Sequence, residues 1–309
     1  MYRRLSFTVC VLLVLVGVSK FANAALLPSN GICSTTGVTL ESIAAVTDVS
    51  KTNLLSKSYD STSCLGVFKN ANDDQHNLSN PAINIGQLDS GLLNGQGGLI
   101  DYMAFISDSD LQDFDGDGNA TDPGWIYLAN YQAGGNTEYR SLGPIGGQSL
   151  NIADLLTITI SCTWQSGECV KGAWELRTKL DIIDKVQALL GKATFDHLTF
   201  ALKASNDFAI YDFNFNDIFA AEKQRNAGSV LNFNTPYVLS GFFNTYDFSK
   251  INGKGKTIYN GLSHMNIAAR DPSDPSTTQV PEPAAILLFG FGLLMMGRTA
   301  RSRQKLRLA

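Results

Sequence analysis

The acidic run SDSDLQDFDGDGNATDPGW, residues 107–125, has the residue types and spacing of a metal-binding loop. Carboxylate and amide oxygens two residues apart converge on one point when the loop bends, and such a point suits a hard cation such as Ca²⁺. Gly118 stands where a tight turn of this kind requires a glycine. The candidate metal ligands are Asp113, Asp115, Asp117, Asn119 and Asp122.

The loop departs from the common calcium-binding pattern in one respect. Its twelfth position is Gly124 instead of a bidentate glutamate, so Asp122 has to supply the missing carboxylate. We therefore expect a weak calcium site, in the range of about 10⁻⁴ to 10⁻³ M. The alternative is a surface turn in which Asp side chains accept backbone hydrogen bonds and no metal binds.

A second group of residues that could do chemistry consists of four cysteines, Cys33, Cys64, Cys162 and Cys169. They follow an N-terminal export segment, described below, and would reach an oxidising compartment in which disulfides are the default. Four cysteines allow three pairings, and the spacing favours Cys33 with Cys64 and Cys162 with Cys169. Four free thiols are the alternative.

The histidines give little support for catalysis. His197 is predicted on the solvent face of a strand, His76 in a polar loop and His264 in the last strand. No GxSxG or HExxH motif accompanies them, so we expect a protein without catalytic activity. A glycan hydrolase is the enzymatic alternative, because the separation of two catalytic carboxylates is set by the fold.

Asparagine and aromatic residues alternate in FNFNDIF, NFNTPY and FFNTYDF. Aromatic rings stack on sugars and amides bond to their hydroxyls, which indicates a carbohydrate-binding protein as an alternative function. A calcium-dependent adhesin would place such a face beside Asp113–Asp122. Core phenylalanines that alternate with solvated asparagines explain the same pattern.

The elements that must position these residues are mainly strands. In LTITISCTW, Ile158, Ile160, Cys162 and Trp164 share one face and the intervening Thr and Ser residues share the other. WELRTKL places Trp174, Leu176 and Leu180 inward, and HLTFALK places Leu198, Phe200 and Leu202 inward. Three further strands are predicted at FAIYDFNF, YVLSGFF and LSHMNIAA. Strands with one wet face predict an all-β fold, an antiparallel β-sandwich of jelly-roll or Ig-like type.

One short helix and long loops complete the predicted domain. IIDKVQALLG has helical spacing with Gly191 as the stop signal. NIGQLDSGLLNGQGG and PIGGQSLN are rich in Gly and Asn and are predicted to be loops. The segment DPSDPSTTQ, residues 271–279, is predicted to be an extended linker, so the folded domain covers residues 25–270.

The first 24 residues predict a secretory signal peptide. Arg3 and Arg4 precede an apolar stretch, and Ala22-Asn23-Ala24 is a small-residue cleavage pattern. The apolar stretch is shorter than the roughly 20 residues of a membrane span, which argues against a permanent anchor.

The last 30 residues, 280–309, have three parts. Pro281 and Pro283 keep the backbone around Glu282 extended. The apolar run from Ala284 to Gly297 would form a helix of about 21 Å, which is short for the ~30 Å hydrocarbon core. Basic residues from Arg298 to Arg307 would hold the end on the cytoplasmic side during a transient insertion into the inner membrane.

These three parts resemble the PEP-CTERM sorting signal of proteins processed by exosortase in Gram-negative bacteria. The matching motif residues are Val280, Pro281, Glu282 and Pro283. The resemblance implies export by the signal peptide, with signal peptidase and exosortase as processing enzymes, and delivery to the cell surface or the exopolysaccharide matrix. We expect a structural, non-catalytic role for the protein there. The body is also similar, more loosely, to the secreted β domains that precede such signals.

The charge of the chain argues against nucleic acid as a binding partner. It carries 24 basic and 28 acidic residues, and eight of the basic residues lie in the two terminal segments. The region between them is therefore much more acidic than the overall net charge of −4 suggests. Such a surface excludes nucleic acid and anionic membranes as general partners and is compatible with divalent cations.

Overall fold

A computed structural model describes residues 31–70, 83–191 and 195–270 of the chain. Within these residues it contains fifteen β-strands and two α-helices. The elements in chain order are β1 (Val38–Ala45), β2 (Tyr59–Asp60), β3 (Ser63–Phe68), β4 (Trp125–Gln132), β5 (Thr137–Tyr139), β6 (Ser141–Ile145), β7 (Gln148–Asn151), β8 (Leu156–Gln165), β9 (Glu168–Thr178), α1 (Ile182–Leu190), β10 (His197–Ala204), β11 (Asp207–Asn214), α2 (Phe215–Arg225), β12 (Tyr237–Asn244), β13 (Ser249–Ile251), β14 (Thr257–Tyr259) and β15 (Leu262–Arg270).

Two antiparallel sheets pack face to face. One has five strands in the order β2-β1-β12-β9-β8, and the other has six in the order β3-β11-β10-β15-β4-β5. Trp174 of the first sheet lies against Phe200 of the second with ring centroids 4.7 Å apart, and Phe213 is also close to it, at 6.3 Å. The predicted all-β antiparallel sandwich is confirmed, and the strands predicted at FAIYDFNF, YVLSGFF and LSHMNIAA are β11, β12 and β15.

The five-stranded sheet has the predicted single wet face. Along β8, Leu156 and Ile158 are buried while Thr157 and Thr159 are exposed. Two expectations for this sheet are wrong. Trp164 is 52% exposed, and it lies one residue before the end of β8, next to the hairpin turn. Leu180 is 61% exposed because β9 ends at Thr178, before it.

The six-stranded sheet departs from the prediction because both of its faces are buried. All eight residues of β10 are buried, including His197, which was expected to face solvent. The cause is the long segment between β3 and β4: Leu92, Leu93 and Ile100 from this segment form a second apolar cluster with outer-face residues of the sheet. A strand covered on both sides loses the polar alternation that would reveal it.

The helices were predicted in part. α1 is confirmed, and Gly191 ends it in the left-handed conformation with φ of 72°. α2 was not predicted, because its first residues belong to the Asn-aromatic stretch FNFNDIF. Asn214 caps α2 through its side chain, and Phe215 and Phe219 are buried in the core.

The loop predictions also had mixed outcomes. Residues 84–98 contain short 3-10 turns, as a loop-rich segment should, whereas PIGGQSLN contributes to the hairpin of β6 and β7. The last described strand ends at Arg270, and the chain divides by its internal contacts after Asp271. The predicted signal peptide, linker and sorting signal lie outside the described residues. No helix in the described part of the chain is long and apolar enough to cross a membrane.

Candidate functional site

The acidic loop brings together three of its five predicted ligands. Carboxylate oxygens of Asp113, Asp115 and Asp122 lie within 4.8 Å of one another, with Asp122 buried and the other two exposed. Asp117 is outside this group, and its carboxylate instead accepts hydrogen bonds from Asn119. Asp122 therefore lies beside Asp113 and Asp115, while Asp117 is outside this group, and the role of these residues as calcium ligands stays a prediction.

Backbone hydrogen bonds organise the loop. Gln112 and Asp122 pair across its base through two backbone hydrogen bonds of 3.1 and 2.8 Å. The Asp122 carboxylate accepts hydrogen bonds from the backbone N–H groups of Leu88, Phe114 and Asp115. Buried at 1% exposure, it fixes the loop to the segment that covers the six-stranded sheet.

The electrostatics of the loop are those of crowded carboxylates. The Asp117 N–H lowers the pKa of Asp115, but desolvation and the negative charges of Asp117 and Asp122 outweigh it, so the pKa is raised. A divalent cation would relieve this repulsion. Because the carboxylates already accept backbone hydrogen bonds, however, the loop is also stable as a turn without metal, and calcium binding stays a prediction.

Both predicted disulfides are present. Cys33 is bonded to Cys64 and Cys162 to Cys169, with Cα–Cα distances of 6.1 and 5.4 Å. The first ties the segment before β1 to β3, and the second closes the hairpin of β8 and β9. Each disulfide thus joins two segments that are neighbours in the fold. It stabilises the domain by lowering the conformational entropy of the unfolded chain.

A buried cluster of charged groups was missed by sequence reasoning. Arg270 donates hydrogen bonds of 3.0 and 3.1 Å to the Asp196 carboxylate, and both residues are buried. Beside them, Nδ1 of His197 lies 2.9 Å from the Asp212 carboxylate. Burial raises the pKa of Asp212, although His197 and Arg270 oppose the shift. These side chains are buried and paired with one another inside the domain.

The other histidines do not form a site either. His264 is buried on β15 at 4% exposure, and His76 lies outside the described residues. Of the aromatic residues in the three Asn-aromatic stretches, most contribute to the core. Phe242 and Tyr246 are the strongly exposed ones among them in the described ranges, at 57% and 44%.

A polar groove lies at the end of the sandwich where β15 begins. Three hairpin turns surround it, those between β8 and β9, β10 and β11, and β13 and β14; we call it the hairpin-end groove. Its volume is about 760 Å³. The lining residues are Gln165, Ser166, Glu168, Val170, Ser205, Lys250, Lys256, Thr257, Ile258, Tyr259, Asn260, Gly261, Leu262 and Ser263. A groove lined by hydroxyl, amide and ammonium groups is suited to a hydrated, polar ligand.

An apolar cavity lies between the sheets under α1. Its volume is about 150 Å³, and Leu155, Val186, Leu198 and Ala269 are among the residues that line it. Partly exposed residues such as Phe233 and Leu239 also line it, so it is open to solvent on one side. Apolar surface that is left unfilled in this way lowers the stability of the domain.

The terminal segment supplies a family assignment. Residues 279–304 match the family model described as the PEP-CTERM protein-sorting motif. This range includes Val280, Pro281, Glu282 and Pro283, the residues that the sequence indicated. Comparison with curated proteins and with solved structures returned no match for the chain. The chain therefore carries a PEP-CTERM sorting motif and is a PEP-CTERM domain-containing protein, secreted and directed to the cell surface as a target of exosortase.

Proposed function

We propose that residues 25–270 form a non-catalytic structural protein of the cell surface or of the extracellular exopolysaccharide matrix. The observation that carries this proposal is the sorting motif placed directly behind a sandwich with two disulfides. Disulfides stabilise a secreted domain outside the cell, where no chaperone or reducing system maintains it. In this proposal, signal peptidase removes residues 1–24, and exosortase processes the tail after a transient insertion into the inner membrane.

The distribution of ionisable groups supports a role without catalysis. The described cluster of Asp, His and Arg side chains is buried and internally paired. Among the described residues that line the hairpin-end groove, Glu168 is the single carboxylate. A glycan hydrolase of the usual kind needs two carboxylates that face each other across the substrate. The groove therefore favours binding over hydrolysis.

A carbohydrate-binding protein is the second candidate function. It is favoured by the exposed pair Tyr246 and Tyr259, whose ring centroids are 4.8 Å apart. Tyr259 lines the hairpin-end groove, and Tyr246 packs beside it. The groove and the acidic loop lie near opposite ends of β15, which spans about 26 Å. Calcium, if bound, would therefore stabilise the fold and would not contact the sugar.

The mass of the protein recovered from the extracellular fraction of its host tests the proposed function. We expect a C-terminus near residues 280–283 and co-purification with the exopolysaccharide. An intact tail in the inner-membrane fraction would instead make the protein a tail-anchored periplasmic domain. Release of sugars from the host's own polysaccharide by the purified protein, lost on substitution of Glu168, would contradict a non-catalytic role.

A further inference from the structure

We propose that the hairpin-end groove is a binding site for an acidic polysaccharide, recognised without calcium. The inference rests on the proposed function in the matrix and names the ligand class and the residues that would bind it. Three independent features of the groove support it: its exposed aromatic pair, its polar lining and its positive charge.

The aromatic pair is held outward by the fold. Tyr246 and Tyr259 are 44% and 41% exposed. Next to Tyr246, Asp247 accepts hydrogen bonds from the backbone N–H of Ser34 (2.9 Å) and from the hydroxyl of Tyr211 (2.8 Å). Phe248 is buried at 1% exposure. Because the two residues that follow Tyr246 are anchored in the domain, its ring is held beside that of Tyr259, with ring centroids 4.8 Å apart. Tyr259 lines the groove and offers the exposed platform on which a sugar ring can stack.

The groove lining offers hydrogen-bonding groups for sugar hydroxyls. Gln165, Ser166 and Ser205 come from two hairpin turns, and Asn260 and Ser263 come from the start of β15. Gly261 lets the Glu168 side chain lie close to the backbone, since a Cβ atom at position 261 would lie 2.1 Å from the carboxylate of Glu168. The groove thus combines an apolar platform with several amide and hydroxyl groups, which is the composition that a carbohydrate requires.

The charge of the groove selects an acidic glycan. Lys250, Lys254 and Lys256 are exposed on the β13–β14 hairpin, and no acidic residue occurs between Phe248 and Arg270. Asn252 shapes the turn by accepting hydrogen bonds of 3.0 Å from the N–H groups of Lys254 and Lys256. These ammonium groups outnumber Glu168 in an otherwise acidic domain. A polyanion such as a uronic-acid polymer would be attracted to this end and repelled elsewhere.

The experiment uses the protein purified from the secreted fraction and two probes, polygalacturonate and neutral dextran, with EDTA present. We expect binding to polygalacturonate that weakens as salt rises, and little binding to dextran. The variant K250Q/K256Q should bind polygalacturonate about tenfold more weakly. Tyr259→Ala should weaken binding at high salt as well, since stacking is not screened by ions.

The matched control is K179Q/K223Q, which removes the same charge from exposed lysines away from the groove. It should leave binding unchanged. Equal losses of binding in both double variants would show general charge attraction and overturn the site. An absence of binding to polygalacturonate would also overturn it.

Failure of the site and failure of the proposed function are distinguishable. A protein that stays with the matrix but does not bind polygalacturonate refutes only the site, whereas one that is absent from the matrix refutes the proposed function.

Discussion

Filling the apolar cavity between the sheets should stabilise the domain. Ala269 lies in the sandwich core on β15 and lines the cavity. Ala269→Leu adds three carbons, worth about 2.4 kcal/mol at about 0.8 kcal/mol for each buried methylene. Ordering the new side chain costs about 0.5 to 1 kcal/mol, so we expect a net gain of about 1.5 kcal/mol in the free energy of unfolding.

Ala204→Leu provides the matched control. Ala204 is fully buried in the same core, on β10, but does not line the cavity. The identical substitution there should overpack the core and destabilise the domain by about 1 to 3 kcal/mol.

Thermal unfolding of the secreted protein, with both disulfides intact, measures the two effects. For a domain of this size the gain corresponds to a rise in Tm of about 3 to 6 °C for Ala269→Leu, while Ala204→Leu should lower Tm. The midpoints of urea unfolding should rank the two variants in the same order as their Tm values. If the two variants destabilise the domain to a similar degree, the space beside Ala269 is not available to a side chain and the reasoning is refuted.

Three further predictions concern the acidic loop, the disulfides and the buried ion pair. Calorimetric titration should show calcium binding with a Kd of about 10⁻⁴ to 10⁻³ M that Asp113→Asn weakens; no heat and no Tm change at about 10 mM calcium would refute the site. By loop entropy, C33S/C64S should lower the free energy of unfolding by about 3.7 kcal/mol and C162S/C169S by about 2.4 kcal/mol. A non-reduced peptide map that contains an unmodified thiol at any of the four positions would contradict the pairing. Arg270→Met leaves the buried Asp196 carboxylate without its ion-pair partner and should lower the free energy of unfolding in urea by about 3 to 5 kcal/mol. Lys185→Met, which breaks an exposed pair with Asp181, should lower it by less than about 1 kcal/mol. Equal effects would contradict the assigned burial of the Arg270–Asp196 pair.

Local sequence patterns predicted the features that depend on near neighbours. The strand β8 follows from the alternation of Ile158 with threonines, because its outer face meets only solvent. The helix α1 follows from its apolar spacing and from Gly191, whose left-handed conformation ends it. The pairing of Cys162 with Cys169 followed from their closeness in the chain. Each of these features is decided within about ten residues, which is why a linear pattern was sufficient.

Features that depend on distant segments were missed or misjudged. His197 was expected to face solvent because its strand alternates, but a segment about one hundred residues earlier covers that face of the sheet. The helix α2 was hidden because Phe215 and Phe219 serve the core while Asn214 caps the helix, and the same letters also fit an alternating strand. In the acidic loop, spacing did not reveal that Asp117 turns to Asn119 and away from the other carboxylates.

The sequence by itself determined the export and sorting of this protein, its disulfide pairs and its all-β class. A sorting motif is a short contiguous segment, so Pro281-Glu282-Pro283 and the residues after it could be recognised from the sequence alone. Only the tertiary structure decided which residues share a surface. Glu168, Ser205 and Lys250 are separated along the chain, and hairpins formed by different strands bring them to one end of the sandwich. A binding surface depends on these long-range contacts, because each strand contributes only its turn.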